Sequence, residues 1–335
     1  MLTYTIRRLL LSIPTLLFIA LVIFLLLELA PGDPMASMPL TIPDEVKQRM
    51  REALGLGEPW YIRFGLWIYQ FFVVEPQYWI DGIFGTDLAQ GKQRIISFQS
   101  RSPVFDTIAE RIPQTLWVVG MSYVVGVLIA LPIGIISAYK QYSVFDQVGT
   151  FISMVGFSVP PFFSGVLVIV IFSVQLGWLP SIYDTTHVVN SWETFVFQLK
   201  QMIMPVMVLA LQTTAQVSRY MRASMLDNLG QDYVRTARAK GMGESVVVMR
   251  HVLRNSMIPV ITVIALGIPS IFGGAIITEQ VFKVNGIGQL LIIALQGNDI
   301  PMVMTLTFLF AVMIVMMNII ADILYGLLDP RIRYD

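Results

Sequence analysis

Residues 231–259 read Gln-Asp-Tyr-Val-Arg-Thr-Ala-Arg-Ala-Lys-Gly-Met-Gly-Glu-Ser-Val-Val-Val-Met-Arg-His-Val-Leu-Arg-Asn-Ser-Met-Ile-Pro. This is the densest basic stretch of the chain, and long apolar segments flank it on both sides. A charged loop so flanked is presented at one face of a membrane. Its pattern predicts two helices. Asp232 is a good N-cap, Arg238 and Lys240 suit the last turn, and Gly241 stands where a left-handed residue ends a helix. The first helix is then about two turns, roughly 12 Å long. A second helix can start near Glu244 or Ser245 and run to Asn255. Tyr233 and Ala237 share one side of the first helix, and Val248, Val252 and Asn255 share a side of the second. Arg250 and Arg254 make a basic ridge. Binding anionic lipid would need the charge but no such glycine turn, so the hairpin reads as a contact for another protein.

Composition sets the environment. Of 335 residues, 56% are hydrophobic and 13% charged, against about 25% charged in a soluble domain. With apolar residues in long runs, this is an integral membrane protein. The zero net charge gives no case for nucleic acid as a partner. The absence of cysteine removes disulfides, thiolate metal sites and cysteine nucleophiles. His187 and His251 are far apart and have no ligand-like spacing with carboxylates.

Outward from the hairpin, six membrane spans are expected, at about 9–29, 114–139, 149–174, 201–218, 256–277 and 300–321. The first is an uncharged run from Leu9 to Leu27 behind Arg7 and Arg8. It is longer than the 7–15-residue core of a cleaved signal, so it reads as a retained anchor. Residues 30–113 form a long polar insert, including 31-Pro-Gly-Asp-Pro-34 and a charged patch from Asp44 to Glu52. Within it, the uncharged aromatic stretch Phe64–Val74 is too short for a bilayer of about 30 Å and reads as an interfacial amphipathic segment. The third span is kinked at Pro160-Pro161. Val284–Asn298 reads as re-entrant or interfacial. The domain division is thus 1–113, anchor plus external insert, and 114–335, a five-helix core carrying the hairpin at about 219–255.

Six spans put both termini on one side. With the N-terminus inside, the inner segments hold Arg7, Arg8, Lys140, Arg219, Arg222, Arg235, Arg238, Lys240, Arg250, Arg254, Arg331 and Arg333. The two short outer loops hold only Lys200 and Lys283. The long insert is exempt from this positive-inside test. The hairpin is therefore expected in the cytoplasm.

No P-loop, His-Glu-x-x-His or Gly-x-Ser-x-Gly pattern occurs, and Gly286-Ile-Gly288 lacks the third glycine of a dinucleotide fingerprint. The ionisable residues Glu28, Glu279 and Asp322 lie near span ends. A carboxylate paired at the interface is the plainer reading of each, and lining a transport path is the sharper one. Asn318 and Asp322 share a face of the last span, where an interhelical hydrogen bond is the plainer reading. A secondary transporter would need ion-coupling residues near the midplane, and a membrane enzyme a catalytic cluster. Neither can be assembled.

Asp232-Tyr-Val-Arg-Thr-Ala-Arg-Ala-Lys-Gly241, followed by Arg250-His-Val-Leu-Arg-Asn255, resembles the cytoplasmic Glu-Ala-Ala loop of binding-protein-dependent ABC importer permeases. Arg235-Thr236-Ala237 takes the place of Glu-Ala-Ala, and Gly241 is the motif glycine. His251 and Leu253 match the Ile-x-Leu part as the dipeptide/oligopeptide branch writes it, and Arg254-Asn255 replace the proline. The resemblance extends to Pro31-Gly-Asp-Pro34, Arg111-Ile-Pro-Gln-Thr-Leu116, Glu279-x-x-Phe-x-x-x-Gly-Ile-Gly288 and Asp329-Pro-Arg-Ile-Arg-Tyr334.

The resemblance implies an all-α membrane protein with the type I ABC importer (MetI-like) fold, six transmembrane helices and cytoplasmic termini. Its place would be the cytoplasmic (inner) membrane of a bacterium or archaeon, as the first, B-type permease. It implies as partners a second homologous permease, two cytoplasmic ATPase subunits that bind ATP and Mg, an extracytoplasmic solute-binding protein and the lipid bilayer. This chain would carry no cofactor and hydrolyse nothing. The coupling contact would be made by Asp232, Tyr233, Arg235, Thr236, Ala237, Arg238, Ala239, Lys240, Gly241, His251, Leu253 and Asn255. Glu279, Asn318 and Asp322 are candidates for the translocation path. Di- or oligopeptides are the expected solute; the branch also carries oligosaccharides, opines, nickel and glutathione.

Overall fold

A computed structural model of the chain describes residues 2–29, 45, 48, 57–272 and 275–328. The 31–34 motif, most of the 44–52 patch, Gly273-Gly274 and the 329–335 tail lie outside them. Among the described residues all regular secondary structure is helical, apart from one isolated antiparallel bridge between Ile96 and Pro103. The helices are α1 (Leu2–Leu29), α2 (Trp60–Tyr69, a π turn at Gln70–Val74, then Glu75–Phe84), α3 (Val104–Tyr139), α4 (Val144–Ser158), α5 (Pro161–Gln175), α6 (Trp192–Leu229) and α7 (Asp232–Ala239). They continue with α8 (Glu244–Gly267), α9 (Pro269–Phe272), α10 (Ile276–Phe282), α11 (Ile287–Gln296) and α12 (Ile300–Leu328).

Five of these, α1, α3, α6, α8 and α12, are long and apolar enough to cross a membrane. The span expected at 149–174 is the pair α4–α5, bent by 105° at the break. Pro160 and Pro161 explain that break, because each lacks an N–H and restricts the residue before it. Counting this pair as one crossing gives the six expected. The segment expected to be re-entrant or interfacial, Val284–Asn298, holds α11, which forms a second bent pair with the preceding α10 at 89°. Counting that second pair as well gives seven.

Several span limits move, and the second span, expected from 114, begins at Val104. The fourth span, expected at 201–218, is the middle of a longer helix that starts at a Ser191–Thr194 capping box. Hydropathy marks only the greasy part of a helix, whereas its ends are set by caps. The fifth, expected at 256–277, ends at Gly267 before Pro269, and its start merges with the second hairpin helix into one rod, α8.

The helices divide into two compact units: Pro113–Gln289 with Met1–Leu10 and Met313–Asp335, and Leu11–Ile112 with Leu290–Val312. Residues 290–312 group with residues 11–112.

In the first unit α3 lies along α6. Ser122, Gly126, Ala130, Gly134 and Ala138 recur every fourth residue on α3, and all are buried. The apolar surroundings provide no hydrophobic drive between helices, so association rests on close packing through small residues. The approach is tight. A Cβ at Gly126 would lie 2.7 Å from Thr213 Cβ, and one at Gly134 would lie 2.6 Å from Met221 Cβ and 2.7 Å from the Ser218 carbonyl. Polar ties reinforce the seam. Thr214 donates to the Gly126 carbonyl at 3.1 Å, and Ser224 and Ser256 hydrogen-bond each other's carbonyls between α6 and α8 at 2.9 and 3.2 Å. Arg222 of α6 grips the buried Asp146 of α4 through two bonds of 2.6 and 2.8 Å.

In the second unit, α2 is amphipathic, as expected of its aromatic stretch. Trp67, Phe71 and Val74 are buried while Tyr61, Leu66 and Tyr69 are exposed. Trp67 and Phe71 both stack edge-on against Phe308 of α12. Two buried carboxylates organise the polar loop. Glu75 accepts from Arg94 (2.8 Å) and the Ile95 amide (3.1 Å), and Arg94 also pairs with Asp106. Burial alone would lower the Arg94 pKa, but its bonds to Asp106 and Glu75 raise it. Asp299 caps α12 and accepts from Ser97 and the Phe98 amide. Arg63 pairs with Glu28, the interfacial carboxylate at the end of α1.

Gly134→Leu should therefore separate α3 from α6 and cost at least the roughly 1–3 kcal/mol of an overpacked core. The expected readout is a large loss of folded, monodisperse protein in detergent. Gly120→Ala, whose Cβ would find its nearest neighbour at 3.9 Å, should purify like wild type.

Candidate functional site

The basic hairpin is a short helix seated between two long ones. Gln231, not Asp232, stands at the N-cap of α7, in an extended conformation and without a side-chain cap. Its amide instead donates to the Asp227 carbonyl. Asp232 is the first helical residue, where its charge favours the positive helix end. The C-terminus is a complete Schellman turn: the Gly241 amide donates to the Arg238 carbonyl (2.9 Å) and the Met242 amide to the Ala237 carbonyl (3.3 Å). Gly241 has φ +77°. A side chain there would cost roughly 1–2 kcal/mol.

α7 has two faces. Val234 and Ala237 are buried in a cluster with Met221 and Met225 of α6, Ala138 of α3, and Val247, Val248 and Val252 of α8. Tyr233 packs on its edge and donates to the Asn228 amide oxygen at 2.8 Å. Asp232, Arg235, Thr236, Arg238, Ala239 and Lys240 are exposed. Across the turn Arg238 binds Glu244 at 2.6 and 3.1 Å, which raises the Arg238 pKa. The result is an eight-residue rod with an apolar underside, a polar outer face and both ends fixed.

On α8 the π turn Val247–Val252 shifts the helix faces. The buried stripe runs through Val248, Val252, Ser256 and Val260. Asn255, expected beside Val248 and Val252, is exposed one position away. Leu253 packs against the cluster, Arg250 and Arg254 are exposed as expected, and His251 is half-buried with Nε2 unpartnered among the described residues.

The three path candidates do not meet. Asn318 is exposed, and Asp322 forms an ion pair with Arg8 of α1. Glu279 is buried and bound from several sides. Thr115 Oγ1 donates to it at 3.0 Å while accepting from the Ile287 amide at 2.8 Å, and the Gln289 amide donates at 2.9 Å. This carboxylate is a remote cap for the start of α11. It also explains Gly286-Ile-Gly288, since a Cβ at Gly286 would run into the Glu279 carboxylate and Thr115, and one at Gly288 would lie 2.8 Å from Ile276 Cα.

A cavity of about 310 Å³ lies against α3, α6 and α8. Its polar lining is Ser122, Tyr123, Gln212, Thr213 and Gln216; Val119, Leu209, Val217, Val263 and Ile271 contribute apolar walls. Burying an amide without a partner costs roughly 2–7 kcal/mol, so two glutamines on a spanning helix mark a polar path or contact. The sequence reading passed over them. The signal was present, as Gln212-Thr-Thr-Ala-Gln216 inside an otherwise apolar span.

The fold and this site define a class: a multi-pass, all-helical membrane protein with a short polar-faced helix between two spans. Residues 130–334 match the family described as binding-protein-dependent transport system inner membrane component, and residues 1–119 match its N-terminal domain. The chain belongs to this family. It is 38% identical to the oligopeptide transport system permease protein AppB of Bacillus subtilis (strain 168), over 100% of both chains. It is 37% identical to the glutathione transport system permease protein GsiC of Escherichia coli (strain K12), again over 100% of both. Among solved structures, a chain from the crystal structure of an amino acid ABC transporter with histidines shares the fold. The TM-score is 0.51 at 14% identity, covering 66% of this chain and 94% of that one.

Gly286→Ala should lower the melting temperature of the purified protein by the equivalent of about 1–3 kcal/mol, because it displaces the Glu279–Thr115 cap. Gly230→Ala, at φ −83° and in open space, should leave it unchanged.

Proposed function

We propose that this chain is one of two homologous permeases of an ATP-driven importer of di- and oligopeptides. The observation that carries the solute class is full-length identity to an oligopeptide permease. The comparable identity to glutathione permeases supports a second reading, a short peptide of that kind. An external solute-binding protein would deliver the solute, and two cytoplasmic ATPase subunits would hold ATP and Mg. This chain has the role of the membrane component and supplies no catalytic group.

In this reading α7 is the coupling helix, on the cytoplasmic side with the basic loops. Its exposed face, Asp232, Arg235, Thr236, Arg238, Ala239 and Lys240, docks into an ATPase. Its underside ties it to α6 and α8 through Tyr233, Val234 and Ala237. Coupling needs an element that makes different contacts in two states and moves as a body. The Schellman turn at Gly241 and the Arg238–Glu244 pair keep α7 from unwinding under load. His251 and Leu253 shape the seat on α8, and exposed Asn255 is free to meet the partner. Glu279 and Asp322, engaged in structural pairs, are better suited to holding helices than to meeting solute, and exposed Asn318 remains available to a second permease.

Gly241→Val should strain the turn, leave membrane insertion intact and reduce peptide uptake relative to ATP hydrolysis by on the order of ten-fold, the equivalent of about 1.4 kcal/mol. Normal coupled transport by this variant would refute the assignment. A cysteine at Ala239 should crosslink to an ATPase subunit in a nucleotide-dependent way. One at buried Ala237 should not, and the absence of any crosslink from Ala239 under all nucleotide conditions counts against docking.

A further inference from the structure

The run Gln212-Thr213-Thr214-Ala215-Gln216 sits near the middle of α6. Thr214 is spoken for, since it is buried and donates to the Gly126 carbonyl. Gln212, Thr213 and Gln216 turn to the cavity instead. Their side chains have no hydrogen-bond partner among the described residues, with Gln216 exposed and the other two half-buried. From α3, Ser122 donates to the Val119 carbonyl and Tyr123 to the Ile264 carbonyl. Their protons are used, so both hydroxyls offer lone pairs to the cavity. The lining therefore presents amide donors, amide carbonyls and hydroxyl acceptors together. It contains no Asp, Glu, Lys, Arg or His.

Each peptide unit carries one N–H donor and one C=O acceptor, the complement of this lining. We propose that the cavity is a subsite that binds the backbone of a peptide in transit, through the amides of Gln212 and Gln216 and the hydroxyls of Thr213, Ser122 and Tyr123. The inference rests on the peptide-importer reading and adds to it the place and the chemistry of contact. Neutral groups pair with any backbone and give no ionic partner to a charged side chain or terminus, so passage is independent of peptide sequence. Its volume of about 310 Å³ is at the low end of the roughly 300–1,000 Å³ of ligand pockets. It holds a short stretch of the solute at a time.

The test uses the complete transporter, with both permeases, the ATPases and the binding protein, in proteoliposomes. Uptake is measured for trialanine and for tripeptides carrying a central glutamate or lysine. Gln212→Leu with Gln216→Leu removes the amides and keeps an apolar span. It should slow all three peptides by a similar factor, on the order of ten-fold for two lost hydrogen bonds. Gln212→Glu with Gln216→Glu should break that indifference and slow the glutamate peptide more than the lysine peptide. Wild-type uptake by the leucine pair overturns the subsite. So does loss of the second permease on purification of that pair, which would assign the amides to the contact between permeases. A wild-type transporter that moves none of the three peptides overturns the peptide reading itself, and the subsite with it.

Discussion

The structure depends on the close approach of α3 and α6. A helix buried among apolar neighbours gains little from the hydrophobic effect, so the seam must be built from contact. The chain meets this with a small residue at every fourth position from Ser122 to Ala138. Glycine at 126 and 134 lets the α6 backbone and side chains come within distances that no Cβ would tolerate. The other helices of this unit are attached to the seam by polar ties. Asp146–Arg222 fixes α4, and the reciprocal Ser224–Ser256 bonds fix α8. Such ties are strong where water does not compete for the same groups.

The two functional features lie along that seam. Toward the hairpin, Ala138, Met221 and Met225 pack with Val234 and Ala237 of α7. Farther along, Ser122 and Gln212 line the cavity. Val217 belongs to both, buried in the hairpin cluster and forming part of the cavity wall. The helix proposed to receive force and the cavity proposed to meet solute are thus parts of one packed body. Interiors packed to this density shift between discrete arrangements and do not deform continuously. A displacement of α7 therefore moves α6 as a rod.

Much of this was legible from residue order. Long uncharged runs located the spans, and Asp232, Gly241 and the glycine pair at 241 and 243 located the hairpin and its turn. The misplaced span limits share one cause. Hydropathy reports where a helix is greasy, while capping and prolines decide where it begins and ends, so α6 runs past both limits of its expected span and α8 absorbs the second hairpin helix. The extra residue in the π turn at Val247–Val252 put Asn255 off the face that a regular 3.6-residue repeat assigns to it. Asp232 has the chemistry of a cap, but Gln231 occupies the extended position that a cap requires.

The sequence alone determined that this is a multi-span helical membrane protein with a basic hairpin in the pattern of importer permeases, because span length, charge asymmetry and turn glycines are local properties. Only the tertiary structure decided which side chains meet. It joined Glu279 to Thr115 across 164 positions and turned a candidate path carboxylate into a helix cap. It gave Asp322 to Arg8 and gathered Gln212, Gln216, Ser122 and Tyr123 around one cavity. Partners that far apart in the chain leave no periodic trace, since their pairing is fixed by how the helices cross.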